Sequence, residues 1–80
     1  METAQILTEV NEIFRKVLDD ENIHVVGTTT ANDIEEWDSL THIQLIVSIE
    51  KHFKIRFTSV EMQKFKNVEE MCLAIKAKIN

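Results

Sequence analysis

Ser39 is the side chain of this sequence best placed for covalent chemistry. It stands in Glu36-Trp37-Asp38-Ser39-Leu40-Thr41-His42-Ile43-Gln44-Leu45-Ile46, where a polar approach ends and an apolar helical run begins at once. Asp38 suits the N-cap of that helix, which puts the serine hydroxyl at its mouth. Free backbone N–H groups of a first helical turn, together with the helix dipole, favour negative charge there. On the local motif alone Ser39 reads as an ordinary first helical residue beside its cap; the same place also suits a serine that carries a phosphate-linked group. Other chemistry finds less support. The single cysteine and three scattered histidines form no metal-ligand pattern, and there is no Ser-His-acid set and no glycine-rich phosphate loop. His42, one turn after Ser39, lacks a second catalytic group nearby in sequence and reads as an exposed polar residue. His24 and His52 read as surface, the Lys54 and Arg56 pair as solvated, and Cys72 as a small buried hydrophobe.

Four helical segments must position that serine. From Thr3 to Leu18, apolar residues at Ile6, Leu7, Val10, Ile13, Phe14, Val17 and Leu18 make one stripe, with Thr3 as N-cap. From Asp19 to Asp38 the period fades. Ile23-His24-Val25-Val26 has no partner strand in the chain, so it reads as extended loop held by its apolar side chains. Gly27 and Thr28 to Asp33 are rich in turn and cap residues, and Ile34 and Trp37 would pin the loop to the bundle. A connection of about twenty residues in a small domain tends to be functional. The second helix runs from Asp38 or Ser39 to about His52. Its apolar residues cover more than one stripe, as expected of a helix that is central, that meets a partner, or both. Lys54-Ile55-Arg56-Phe57 is a short link with alternate residues turned inward. Thr58-Ser59-Val60-Glu61 matches a capping box and opens a short third helix, Ser59 to Phe65. Asn67-Val68-Glu69-Glu70 opens the last, where Val68, Met71, Cys72, Ile75 and Ile79 recur at helical spacing.

Composition agrees with an all-α bundle. Eighty residues suffice for one domain, 1–80, with a thin core and no internal disulfide. The chain has no proline and one glycine, which argues against a turn-rich β-sandwich. A formal net charge of −5 disfavours nucleic acid and anionic membranes and suits partners that present basic patches. Met1-Glu2-Thr3-Ala4-Gln5 is not the start of a secretory signal, and no apolar run reaches the ~20 residues of a membrane span. A cytoplasmic monomer is expected.

A Ser at the start of the second of four helices, after a long first connection, resembles the acyl carrier proteins. The likeness runs from Asp38-Ser39-Leu40 through Leu45, Ile49, Glu50, Phe53 and Ile55 to the last helix, and covers nearly the whole chain. It implies a four-helix bundle, three longer helices and a short third, with a long loop between helices 1 and 2. It also implies that a phosphopantetheinyl transferase uses the Ser39 hydroxyl to attack coenzyme A, leaving a covalent 4′-phosphopantetheine whose terminal thiol holds an acyl or aminoacyl cargo as a thioester. Asp38 would help that transferase engage the serine, and a ligase or synthase would load the arm. Leu40 and Val47 would either face partners or pack as ordinary core, while Ile43, Ile46, Ile49 and Phe53 would line the core and the space for a cargo chain. Trp37, beside Asp38, is a loop anchor with possible contact to arm or partner.

The likeness has departures. Carriers of bacterial fatty acid synthesis often have Gly two residues before the Asp and acidic residues along the second helix. Here Glu36 and Trp37 precede Asp38, Thr41 and Gln44 replace acidic residues, and Lys51 follows Glu50. Negative charge gathers instead at Asp33, Glu35, Glu36 and Asp38, so Glu36 is a candidate partner contact. This leaves a carrier for fatty acid, polyketide or other specialised biosynthesis, with a specialised pathway favoured over housekeeping fatty acid synthesis. The competing reading is an unmodified helical interaction module that binds a partner through the apolar second helix.

Overall fold

The computed structural model describes residues 2–79; Met1 and Asn80, the ends of the expected domain, lie outside the described residues. The order is α1 (Thr3–Val17), a 3₁₀ turn (Ala31–Asp33), α2 (Ser39–Phe53), α3 (Ser59–Lys64) and α4 (Val68–Ile79), with no strand among the described residues. The fold is the expected all-α one. α1 packs against both α2 and α4. Ile6, Val10 and Phe14 of α1 meet Leu45, Ile46 and Ile49 of α2 and Val68, Met71 and Ile75 of α4 in one core. Removing such side chains from water is the main force that holds a domain of this size together.

Helix ends depart from expectation in instructive ways. Thr3 is the first helical residue and not the cap: the Glu2 carbonyl accepts the first helical bond, from Ile6 N–H at 3.0 Å, and no side chain caps the turn. At the other end Leu18 is the last half-turn, and Asp19 enters the left-handed region at φ 52°. Asp20 N–H then reaches back to the Arg15 carbonyl at 3.0 Å, closing a Schellman-type turn. α2 ends in the same way, with Lys54 at φ 58° and Ile55 N–H on the Glu50 carbonyl at 3.0 Å. Both turns occupy with an ordinary residue a position that usually takes glycine. The α3 capping box is as expected, with Glu61 N–H on Thr58 Oγ1 at 3.1 Å and Thr58 N–H on Glu61 Oε1 at 2.8 Å. At α4, Asn67 Oδ1 accepts from Glu70 N–H at 2.9 Å.

The long connection is ordered by specific bonds. Ile23 and Val25 are buried while His24 and Val26 face out, a strand-like alternation with no strand beside it. Asn11 of α1 takes the partner's place. Its Nδ2 donates to the Val25 carbonyl at 2.9 Å and its Oδ1 accepts from Val25 N–H at 2.7 Å. Arg15 Nε donates to the Ile23 carbonyl at 2.6 Å. Further on, the Gly27 and Thr29 carbonyls accept from Glu69 and Val68 N–H, at 2.9 and 3.0 Å, so the loop caps the first turn of α4. Gly27 serves this close approach, since a Cβ there would lie 3.3 Å from Glu69 Oε2. Trp37, buried at 5 % exposure, sets its ring edge-on to Phe14 with centroids 5.0 Å apart, which fastens the end of the loop to α1.

Candidate functional site

Asp38 builds the start of α2. Its backbone is extended, and its Oδ1 accepts from Leu40 N–H at 3.0 Å and Thr41 N–H at 2.9 Å. Thr41 answers with a hydroxyl that accepts from Asp38 N–H at 2.8 Å and donates to the Glu36 carbonyl at 2.8 Å. The result is a capping box with threonine where glutamate is usual. The bond from Thr41 N–H is the main cause that holds the Asp38 carboxyl below its ordinary pKa. Ser39 is exposed as the first residue of the helix.

One expectation about this turn needs correction. The N–H groups of Leu40 and Thr41 are engaged by Asp38 and are not free to cradle a phosphate. A phosphodiester on Ser39 would meet the helix dipole without that cradle, and would sit next to a carboxylate. It nonetheless fits the site. Ser39 borders a hollow between the start of α2 and α3, lined also by Met62, Phe65 and Lys66. Exposure leaves the hydroxyl free to act as a nucleophile. The hollow offers apolar wall for an extended arm, and Lys66 offers a cation on the same rim.

His42 is the residue that brings α3 to this place. Its Nδ1 lies 3.1 Å from Trp37 Nε1, and its Nε2 lies 3.1 Å from the Met62 carbonyl. The indole N–H can only donate and the carbonyl can only accept, so both bonds are satisfied by the neutral ring with its proton on Nε2. The ring also stacks near Trp37, with centroids 5.9 Å apart. His42 is therefore half-buried and tied on both sides, and not the exposed polar residue expected.

The other expected residues separate. Leu40 is 67 % exposed and Val47 41 %, open as a docking face requires. Ile43, expected in the core, is 57 % exposed and joins them. At 100° per residue it lies ~120° from the direction shared by Leu45, Ile46 and Ile49, which puts it on the outer face. Ile46 and Ile49 are buried as expected, and Phe53 is half-buried. Trp37 as a partner contact is corrected by its burial, because its ring is spent on Phe14 and His42. Glu36 is half-buried, with its carboxyl beside that of Asp20. His24 and His52 are exposed and Cys72 is buried. Asn11, Met62, Phe65 and Lys66 were not singled out in the sequence. For Asn11 the available signal was an amide on the apolar stripe, four residues after Leu7. The α3 residues carry no such signal.

Comparison with known proteins bears on this arrangement. The family model described as the phosphopantetheine attachment site matches residues 8–75, most of the chain and all of α2. The chain belongs to that family. It is a carrier protein whose prosthetic group, 4′-phosphopantetheine, is covalently attached. Among solved structures, the holo acyl carrier protein from Geobacter metallireducens is 46 % identical, with a TM-score of 0.87 over 92 % of this chain and 85 % of that one. A Mycobacterium tuberculosis protein assigned as an acyl carrier protein shares the fold, at 21 % identity and a TM-score of 0.80, over 90 % of this chain and 96 % of that one. No curated protein matches the chain. No helix of the described residues is long and apolar enough to cross a membrane, and none of their side chains group as a metal site.

Proposed function

We propose that this carrier, acting as one domain over residues 1–80, bears its arm on Ser39 and delivers an acyl or aminoacyl group to partner enzymes in a specialised biosynthetic pathway of the cytoplasm. The observation that carries this reading is the exposed Ser39 hydroxyl at the first position of α2, with the exposed Leu40 beside it. When attached, the arm supplies a terminal thiol that holds the cargo as a thioester. The chain's own residues do the positioning. Asp38 and Thr41 fix the first turn, so the Ser39 oxygen is presented at one place to a phosphopantetheinyl transferase; there it would lose its proton and attack the pyrophosphate of coenzyme A, taking the phosphopantetheinyl group and releasing adenosine 3′,5′-bisphosphate. Trp37 and His42 hold the loop and α3 around the adjoining hollow. Leu40, Ile43 and Val47 give the transferase and a loading ligase or synthase an apolar face, with Glu36 at its acidic edge. The specialised pathway is suggested by Thr41, Gln44 and Lys51, which break the acidic run usual on the second helix of fatty acid carriers. The carrier acts as a monomer, and the catalysis belongs to its partners.

The test is direct. Purified protein incubated with coenzyme A and a broad-specificity phosphopantetheinyl transferase is expected to gain one phosphopantetheinyl group in its intact mass. Ser39→Ala is expected to gain none. Modification of that variant, or none of the parent, defeats the assignment of Ser39.

A further inference from the structure

The outer face of α2 does not end at Val47. At 100° per residue, Lys51 and Lys54 fall on the same side of the helix as Leu40, Ile43 and Val47. Val47, Lys51, Lys54 and Arg56 border one shallow concavity with Glu50 and Ile55, so apolar stripe and cations are continuous in space as well as along the helix. All three cations are exposed, and among the described residues none pairs with a carboxylate; the ion pairs formed are His52 with Glu9 and Lys78 with Glu61. The one carboxylate of the concavity, Glu50, is turned to the chain, where its Oε2 accepts from Phe57 N–H at 2.8 Å. Compensation of the helix dipole accounts for cations in the last turn of α2. It does not account for Arg56. That residue lies past the helix, on a link whose inward positions, Ile55 and Phe57, are buried and leave Arg56 pointing out.

The approach to α2 carries mostly acidic side chains, with Lys66 as a cation on the rim of the hollow beside Ser39. Asp33, Glu35 and Asp38, exposed on the approach to α2, have no cation among their hydrogen-bond or ion-pair partners within the described residues. Lys51 stands ~18 Å further along the axis from Ser39, at 1.5 Å per residue. An apolar stripe that runs into cations at one end fixes the direction in which a complementary surface can lie on it.

We propose that the enzyme that loads this carrier is a protein with an acidic patch that seats on Lys51, Lys54 and Arg56, and a neighbouring apolar surface that seats on Leu40, Ile43 and Val47. The inference rests on the Ser39 reading and adds to it the sign and place of the partner's charge. The apolar stripe favours a protein over a free anion, and the formal net charge of −5 opposes an anionic membrane.

The test uses the tagged full chain expressed in its source cell and purified for intact mass, which separates unmodified, arm-bearing and cargo-bearing forms. Lys51→Glu/Arg56→Glu is expected to keep the arm and lose the cargo-bearing fraction by about tenfold, as reversing charges at an interface rim slows encounter. Lys51→Gln/Arg56→Gln is expected to fall between, and Lys51→Arg/Arg56→Lys to match the parent. Lys16→Glu/Lys76→Glu, with the same change of net charge on α1 and α4, is expected to load normally. Unchanged loading of the reversed variant overturns the proposal, as does an equal loss in the Lys16 and Lys76 variant. Binding of the parent to phosphatidylglycerol vesicles that Lys51→Glu/Arg56→Glu abolishes also overturns it, because the occupant is then lipid. A parent protein that never gains the arm sinks the Ser39 reading itself, a result distinct from the others.

Discussion

Asn11 shows how much one amide does in a chain this small. Its side chain gives the Val25 backbone both bonds that a neighbouring strand would give, in a place where Val25 is fully buried. Asn11→Leu keeps the branched shape, though not the smaller volume, and leaves a buried N–H and C=O without partners. A loss of about 2–6 kcal/mol is expected in urea denaturation, from one to three kcal/mol for each of the two unsatisfied buried groups. A loss below ~0.5 kcal/mol would mean that the loop finds other partners. Glu36 and Asp20 make the reverse case. Asn22 N–H, 2.9 Å from Asp20 Oδ1, holds the Asp20 carboxyl low, and the hydrogen bond with Asp20 raises Glu36. A carboxyl raised by folding stabilises the protein below its unfolded value, and that contribution disappears as pH rises through the raised value. At neutral pH the two carboxylates repel. Glu36→Gln, which can donate to Asp20 without charge, is expected to raise Tm at pH 7. The advantage should vanish as pH falls below the ordinary glutamate value of 4.5; scans at pH 7 and pH 4 check both halves.

At the scale of elements, α3 is the piece whose position depends on side chains more than on its own length. Six residues cannot hold a helix in water. Its caps, the Phe57–Phe65 pair at 5.3 Å, the Lys78–Glu61 bridge at 3.1 Å and the His42 tie keep it in place. His42→Ala removes the tie that faces Ser39 and leaves the Trp37 indole N–H unpaired, at a cost of about 1–2 kcal/mol. The expected signature is local: amide exchange in α3 speeds up by more than tenfold, while the α1 and α4 core amides change only with global stability. Uniform acceleration would show that His42 serves the whole core and not α3. The four helices and the Asp38 cap were legible because period and cap chemistry are local, whereas an outward face for Leu40 and Val47 came from the family resemblance and not from the period. The His42 tie, the Asn11 clamp and the exposure of Ile43 were not legible. Each depends on where a second element lies: α3 for His42, the loop for Asn11, the direction of the core for Ile43. The left-handed ends at Asp19 and Lys54 escaped for a different reason, since the glycine that normally marks such a turn is absent.

At the scale of the whole molecule, the fold must keep its own sulfur out of the chemistry that its arm performs. Cys72 lies on the core stripe of α4 at 2 % exposure, where burial, and next the charge of Glu69, push its thiol up to about 11. The thiolate is the reactive form, so at pH 8 the fraction available is roughly a hundredfold below that of an ordinary cysteine, before the barrier of access is counted. A terminal thiol on an exposed arm suffers neither restraint. Three states of the protein should therefore label differently with iodoacetamide at pH 8. The native unmodified chain should react slowly, and the same chain in urea should react quickly at one site. The native arm-bearing chain should also react quickly at one site, with Cys72 recovered unmodified after digestion. Rapid native labelling of Cys72 would show that the α4 stripe opens on the timescale of the reaction. The bundle would then expose a competing nucleophile to every cargo it carried, and the separation of protein sulfur from carrier sulfur would not be a property of this fold.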